Sequence, residues 1–291
     1  MALQPHPLHL AAVQCRLGDD EATNLRRVQA GIEVAAGAGA ELICLPELLE
    51  SPYFCTGQNS QDFRRAKPLH DNATLAFFST VARQHGVVLT VPFFEQDGPR
   101  YYNSVAVVDA DGSILVNDRK TTVYRKSHIP QGPGYEEKYF FRPGNTGFTT
   151  WMTRFGRVGV GICWDQWYPE AARAMSLRGA QVLLYPTAIG SEPLAPEVDT
   201  QPEWQLAMRG HAVHNRIPVV AANRVGQEGQ TTFYGSSFIA NHRGEILQQL
   251  GRSEEAVAHA VVDLADIETD RAGWGFFRDR RPDLYGDLVE P

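Results

Sequence analysis

The sequence has no cluster of basic residues. Its 27 Lys and Arg are outnumbered by 34 Asp and Glu, for a formal net charge of −7. Nucleic acid and anionic membrane surfaces both reward clustered Lys and Arg, so neither is expected as a partner, and the acidic balance suits a cationic small molecule. Cysteine is scarce: Cys15, Cys44, Cys55 and Cys163 are scattered through 291 residues. They show neither the CxxC spacing of a metal cage nor the density of a disulfide framework, so a reduced, cytoplasmic protein is expected. No apolar run reaches the roughly 18 residues that a membrane-spanning helix needs. The opening MALQPHPLHLAAVQ has no basic region and no long apolar stretch, and is not read as a signal peptide. Repeats of fixed period and low-complexity linkers are absent as well.

What is present is a series of short apolar runs: HLAAVQC near residue 10, then 41–47, 86–95, 103–112, 116–127, 157–164, 180–188, 217–226, 236–247 and 256–264. Between them, residues 19–40, 72–86, 168–180 and 202–216 carry apolar residues at spacings of three and four, with Gly at or near their ends, as amphipathic helices do. ADGSIL and NHRGEI have the Gly placement of hairpin turns. Alternating strands and helices imply an α/β architecture with helices covering sheet faces, in one domain over 1–291.

Three of the runs end in a single chemically capable side chain. ELICLP ends in Glu47, KTTVYR in Lys126 and VGVGI in Cys163. Active sites gather at the carboxyl ends of strands in α/β folds, so these side chains are expected to converge. Together they make sense as chemistry: a carboxylate takes the thiol proton, sulfur attacks a carbonyl carbon, and an ammonium stabilises the oxyanion. The backbone N–H of Trp164, next after the thiol, is a second oxyanion donor and makes Trp164 a substrate-contacting candidate. Each residue alone also has a plainer reading. Glu47 suits a solvated strand cap, Lys126 a wet edge strand within DRKTTVYRKSH, and Cys163 a small buried hydrophobe.

The blocks around these residues carry more information. LPELLE, YRKSHIPQGPGYEEKYFFRPG and GICWDQWYPEAAR resemble the three catalytic motifs of the carbon–nitrogen hydrolase (nitrilase) superfamily, and the likeness extends from HLAAVQC to RAGWGFFRDRRPDLYG. RKSHIP, GPGYEEKYFF, CWDQWYPE and TAIGSEP resemble most its N-carbamoylputrescine-hydrolysing branch. The resemblance implies a four-layer αββα sandwich, assembly as a homodimer or higher homo-oligomer, and no metal or organic cofactor. It implies Glu47 as general base, Lys126 as oxyanion stabiliser, Cys163 as nucleophile, and Glu137 as a second carboxylate that holds Lys126. Glu136 competes for that last role, but the family's acid stands directly before the Lys. It further implies attack on a ureido carbon, departure of ammonia, and hydrolysis of the thiol-bound carbamoyl group to the free amine.

A cationic tail wants a carboxylate or aromatic faces, whereas a carboxylate tail wants a bidentate Arg. By resemblance, Glu192 in GSEP pairs with the distal amine, with Ser191 beside it. Tyr53 is expected in the pocket wall, although Ser51-Pro52 stands where a Tyr or Gly-Tyr was expected, which leaves chain-length preference open. The alternatives are a relative acting on a carboxylate-bearing substrate of the N-carbamoyl-β-alanine or ω-amide type, and a non-catalytic scaffold. Gly156, Gly159 and Gly161 lack the order of a phosphate loop and fit close strand packing. His211 and His214 lack a zinc motif and fit helix packing or surface, and Cys55 has no evident base. Residues 265–291 are expected to form an arm that packs on a partner subunit.

Overall fold

Backbone pairing of the apolar runs builds two sheets. The structure, a computed structural model, describes residues 6–290. The first sheet begins with β1 (Pro7–Gln14), β2 (Leu42–Cys44) and β3 (Val88–Asp97), which run parallel, and continues through antiparallel β4 (Arg100–Val108) and β5 (Val123–Arg125). Helices α1 (Glu21–Gly37) and α2 (Ala73–His85) make its crossovers. Asp20 and Asn72 cap them by accepting hydrogen bonds from the first free N–H groups.

A short helix, α3 (Glu137–Phe140), separates this half from the second sheet. There β6 (Thr150–Thr153) pairs antiparallel with β7 (Gly156–Val160), and β7, β8 (Val182–Pro186) and β9 (Val219–Ala222) run parallel. Helices α4 (Pro169–Leu177) and α5 (Gln201–Asn215) are the crossovers. A hairpin of β10 (Val225–Glu228) and β11 (Thr231–Tyr234) stands apart, and β12 (Phe238–Ala240) and β13 (Ile246–Gln249) extend the second sheet. β14 (Ala256–Asp263) then returns to pair with β1, and α6 (Leu264–Trp274) follows.

The strand orders are β14-β1-β2-β3-β4-β5 and β13-β12-β9-β8-β7-β6, two six-stranded sheets of matching design. One apolar cluster lies between the sheets and includes Leu10, Leu42, Val105, Val160, Leu184 and Ile239. A second packs α1 and α2 on the first sheet, and a third packs α4 and α5 on the other. The layers are therefore αββα, as the family resemblance implied. A parallel strand buried on both faces must be apolar throughout, which is why VLLYP and VVAA are continuous rather than alternating. No helix among the described residues is long and apolar enough to cross a membrane.

The structure departs from the sequence expectation in several places. Residues 116–127 do not form a strand; only Val123–Arg125 do. The Asn117 carboxamide accepts from the N–H groups of Arg119 and Thr121, and Lys120 has φ +64°, so local side-chain bonding wins a turn from the ladder. β6, β11 and α6 were not anticipated, being short or dependent on partners distant in sequence. α6 inserts Leu264 and Ile267 into the inter-sheet core, so the start of the expected C-terminal arm packs on its own chain. The glycines of β7 and its exit pack closely. A Cβ on Gly159 would meet the Leu183 and Met175 side chains at 2.9 Å, and one on Gly161 the Tyr185 ring at 2.8 Å.

Gly161 lies two residues before Cys163, so overpacking there reaches the site. Gly161→Ala is expected to lose about 1–3 kcal/mol of stability in urea unfolding, with a fall in turnover in the fraction that remains folded. A variant of unchanged midpoint and activity would show that the tight fit against Tyr185 does not hold the thiol in place.

Candidate active site

Carboxyl ends from both sheets meet at one edge of the sandwich. Glu47 lies just beyond β2, its N–H donating to the Thr187 carbonyl beyond β8 at 3.3 Å. Lys126 follows β5 directly, and its N–H donates to the Asn103 carbonyl at 2.8 Å. Cys163 lies beyond β7 and opens a 3₁₀ turn, Cys163–Trp167. Its φ is +42°, in the left-handed region that a residue with a side chain occupies only under constraint. The strand expected to run through Trp164 therefore stops at Val160, and the sharp turn projects the sulfur.

Asp165 holds this turn. Its carboxylate accepts from the Ile162 N–H at 3.0 Å, the Tyr124 hydroxyl at 2.7 Å and the His128 N–H at 3.0 Å, with His128 Nδ1 also 2.7 Å away. Tyr124 and His128 flank Lys126 in sequence, so one buried carboxylate ties the lysine segment to the cysteine turn. Lys126 itself is fully buried. Its ammonium donates to Glu47 Oε1 at 2.9 Å and to both Glu137 oxygens at 2.8 and 2.7 Å. Asn103 donates to the same Glu47 oxygen at 2.7 Å, and the Tyr53 hydroxyl to Glu137 at 2.6 Å. Glu47 Oε2 is buried without a hydrogen-bond partner among the described residues.

These groups set one another's protonation. Burial opposes charge on Lys126, but the Glu137 and Glu47 carboxylates outweigh it and hold the ammonium well above its usual pKa. Burial pushes Glu137 up to about 7, against the pull of Lys126. Burial, reinforced by the Glu47 carboxylate, raises the Cys163 thiol well above the usual range, and Lys126 opposes this only in part. The Cys163 thiol donates at 3.5 Å to the Ala188 carbonyl.

A cavity of about 260 Å³ opens over the sulfur. Cys163, Tyr53, Trp164, Trp167, Tyr135, Gln131, Ala188, Ile189, Glu192 and Glu203 are among its lining residues, which include no Arg, Lys or His. Burial raises the Glu192 carboxyl above its usual value. The structure thus brings Glu47, Lys126, Glu137 and Cys163 together, and places Tyr53, Trp164 and Glu192 in the cavity wall. It does not bring Ser191 there. That hydroxyl accepts the Thr232 N–H at 2.9 Å, and its carbonyl accepts the Tyr135 hydroxyl at 3.1 Å, so Ser191 fastens the wall from behind. Glu136 lies in a loop and accepts from Gln58 and Gln131. Pro52 faces a separate surface hollow with Thr56, Asn59 and Asp62, and neither Ser51 nor Pro52 is among the lining residues of the catalytic cavity, although the adjoining Tyr53 lines both. His211 Nε2 lies 2.7 Å from the Gln166 carbonyl oxygen, while Cys55 is buried in an aromatic cluster.

Sequence reasoning missed Asn103, Asp165, Trp167 and Glu203. Asp165 stood in the quoted CWDQW block, where an acid immediately behind a candidate nucleophile was a usable signal. Asn103 and Glu203 carried none, since one is a strand residue and the other an acid in the first turn of α5, where the helix dipole favours it anyway.

The four-layer sandwich thus carries a thiol, an ammonium and two carboxylates at the shared end of its sheets. The chain belongs to the carbon–nitrogen hydrolase family, whose profile matches residues 9–272. It is 47% identical to a citrullinase of Francisella tularensis, over 97% of this chain and 98% of that protein. It is also 47% identical to an N-carbamoylputrescine amidase of Solanum lycopersicum, over 99% of this chain and 97% of that one. Among solved structures, a carbon–nitrogen hydrolase from Helicobacter pylori superposes with a TM-score of 0.90 at 37% identity, covering 98% of this chain and 99% of that one.

The protonation pattern has an observable sign. Glu137 is a carboxylate only above about pH 7, and as a neutral acid it holds Lys126 less firmly. kcat/KM is therefore expected to fall as pH drops through that value. Stability moves the opposite way: a carboxyl whose pKa is raised by folding favours the folded state below about 4.5, an advantage lost as pH rises through about 7. Glu137→Gln should lower kcat by roughly 100-fold or more and abolish this acid limb. An unchanged limb in that variant would assign the titration to another group.

Proposed function

We propose that this enzyme hydrolyses N-carbamoylputrescine to putrescine, ammonia and carbon dioxide. The observation that carries this reading is the cavity over Cys163, which has two carboxylates, Glu192 and Glu203, aromatic faces, and no basic side chain in its lining. A distal ammonium is satisfied there. A carboxylate tail of the N-carbamoyl-β-alanine type has no Arg to meet it. The N-carbamoylputrescine amidases of tomato, potato, Arabidopsis and rice, each 47–48% identical to this chain, support the same choice.

The thiol of Cys163 gives its proton to Glu47 as sulfur attacks the ureido carbon. Lys126 and the Trp164 N–H take the developing oxyanion. Collapse expels ammonia, which carries away the proton held by Glu47, and leaves a thiocarbamate on Cys163. Glu47 then draws a proton from water, and hydroxide attacks the same carbon. The thiolate departs and recovers the proton, releasing a carbamic acid that loses carbon dioxide. The free Oε2 of Glu47 supports the base role in both halves. In this reading Glu137, held by Tyr53, keeps Lys126 charged and aimed.

Citrulline is a second substrate to consider because of the 47% identity to a citrullinase. It offers the same ureido group, but its tail adds an α-carboxylate that the lining residues leave without a cationic partner. Four unpaired cysteines support a reducing, cytoplasmic setting. Exposed Trp274, Leu284, Leu288 and Val289 support a C-terminal arm that covers a second copy in a homo-oligomer.

Ammonia release from N-carbamoylputrescine, citrulline and N-carbamoyl-β-alanine, compared at equal concentrations, tests the reading. N-carbamoylputrescine should be preferred, and Glu192→Gln should lower its kcat/KM about 10- to 100-fold, the range for a lost charge-assisted hydrogen bond. Preference for either carboxylate-bearing substrate, or indifference to Glu192→Gln, would overturn the cationic pocket.

A further inference from the structure

Glu47 stands at the head of a loop that turns back under the cavity. Leu48 has φ +47°, a left-handed backbone at a residue with a branched side chain. The loop forms little regular structure, so its buried carbonyls need donors from elsewhere. Arg224 supplies them. Its side chain is fully buried between β9 and β10. Nη2 donates to the carbonyls of Glu47 at 2.7 Å and Leu48 at 3.1 Å, and Nη1 donates to that of Ser51 at 3.3 Å.

The guanidinium is in turn oriented by Glu228, four residues on, whose oxygens both lie 3.0 Å from Nη1. Glu228 Oε2 also accepts the backbone N–H of Tyr53 in a short hydrogen bond. The Tyr53 and Phe233 rings lie 5.8 and 5.4 Å from the guanidinium carbon. Tyr53 places its hydroxyl on Glu137, the carboxylate that holds Lys126. At its backbone, Arg224 donates its N–H at 2.9 Å to the Asn223 carboxamide oxygen, which also accepts the Ile189 N–H of the cavity wall at 3.0 Å.

We propose that Arg224 and Glu228 form a clamp that positions the proposed general base, Glu47, from its backbone and the second carboxylate, Glu137, through Tyr53. Neither residue touches the reacting atoms; both are positioning residues. Arginine suits the task because one planar fork reaches three carbonyls and one carboxylate at once. Lysine at 224 reaches only part of that set. Glu228 Oε2 accepts from both Nη1 and the Tyr53 N–H, so a glutamine at 228 with its oxygen in that place sets an NH₂ against Nη1 where Oε1 accepted, and the carboxylate charge is lost. A displacement of about 1 Å in a reacting group costs roughly 100-fold in rate, whereas the distal ammonium is met by Glu192 and Glu203, to which neither Arg224 nor Glu228 bonds. The signature is thus a loss in kcat with little change in KM.

The proposal rests on the reading of Glu47 as base, so Glu47→Gln is assayed beside Arg224→Lys and Glu228→Gln, with N-carbamoylputrescine as substrate. Thermal unfolding establishes which variants are folded, and Glu228→Gln, lying at the rim of the clamp, decides the matter if Arg224→Lys does not fold. The expected result is a kcat lowered at least tenfold in folded Glu228→Gln with KM within about threefold. The rate of Cys163 alkylation by iodoacetamide against pH should shift in the same variant, a response that lost stability alone does not produce. A near-wild-type kcat and alkylation profile in folded Glu228→Gln, with Glu47→Gln inactive, would overturn the clamp and leave the base assignment standing. Full activity of Glu47→Gln would overturn both.

Discussion

One buried ammonium organises the site. Lys126 has no exposed surface, and it lies within 2.9 Å of carboxylate oxygens from two different segments. A lone charge in such a place would be expelled or neutralised; this one is retained because two carboxylates surround it. The dependence is mutual. Glu47 and Glu137 are also fully buried, and Lys126 pulls against the burial that raises the Glu137 carboxyl. The sandwich supplies the geometry: β2 delivers Glu47, β5 delivers Lys126, and the exit of β7 delivers Cys163 to the same end of the two sheets.

The charge arrangement explains why the thiol need not be a thiolate at rest. Burial, reinforced by Glu47 and opposed in part by Lys126, raises the Cys163 thiol well above its usual pKa. The proposed chemistry exploits this balance. In that proposal negative charge moves onto the substrate oxygen, to be met by Lys126 and a backbone N–H, and the proton moves to Glu47. The stabilisation is concentrated on the charge distribution that develops during reaction. A thiol kept protonated between turnovers also presents less of the form that adventitious electrophiles and oxidants attack.

The sequence made much of this legible, for physical reasons that also mark its limits. Glu47, Lys126 and Cys163 each terminate an apolar run, and strand ends are local features. Glu137 was chosen over Glu136 only through the family resemblance, yet the two differ sharply in space, one buried on Lys126 and the other in a loop. The residues that aim these groups were harder to see. Asn103 sits inside an ordinary strand, and Arg224 reaches carbonyls 177, 176 and 173 residues away. Their importance comes from long-range burial, which no local pattern records. Residues 116–122 failed as a strand because Asn117 bonds its own neighbours, a local competition that an apolar-run count overlooks.

The most direct test of the account is rapid-quench mass spectrometry during turnover of N-carbamoylputrescine. A thiocarbamate adduct is expected to form and decay on Cys163 alone, at rates that accommodate kcat. Turnover with no adduct on Cys163, or with one on Cys15, Cys44 or Cys55, would contradict it.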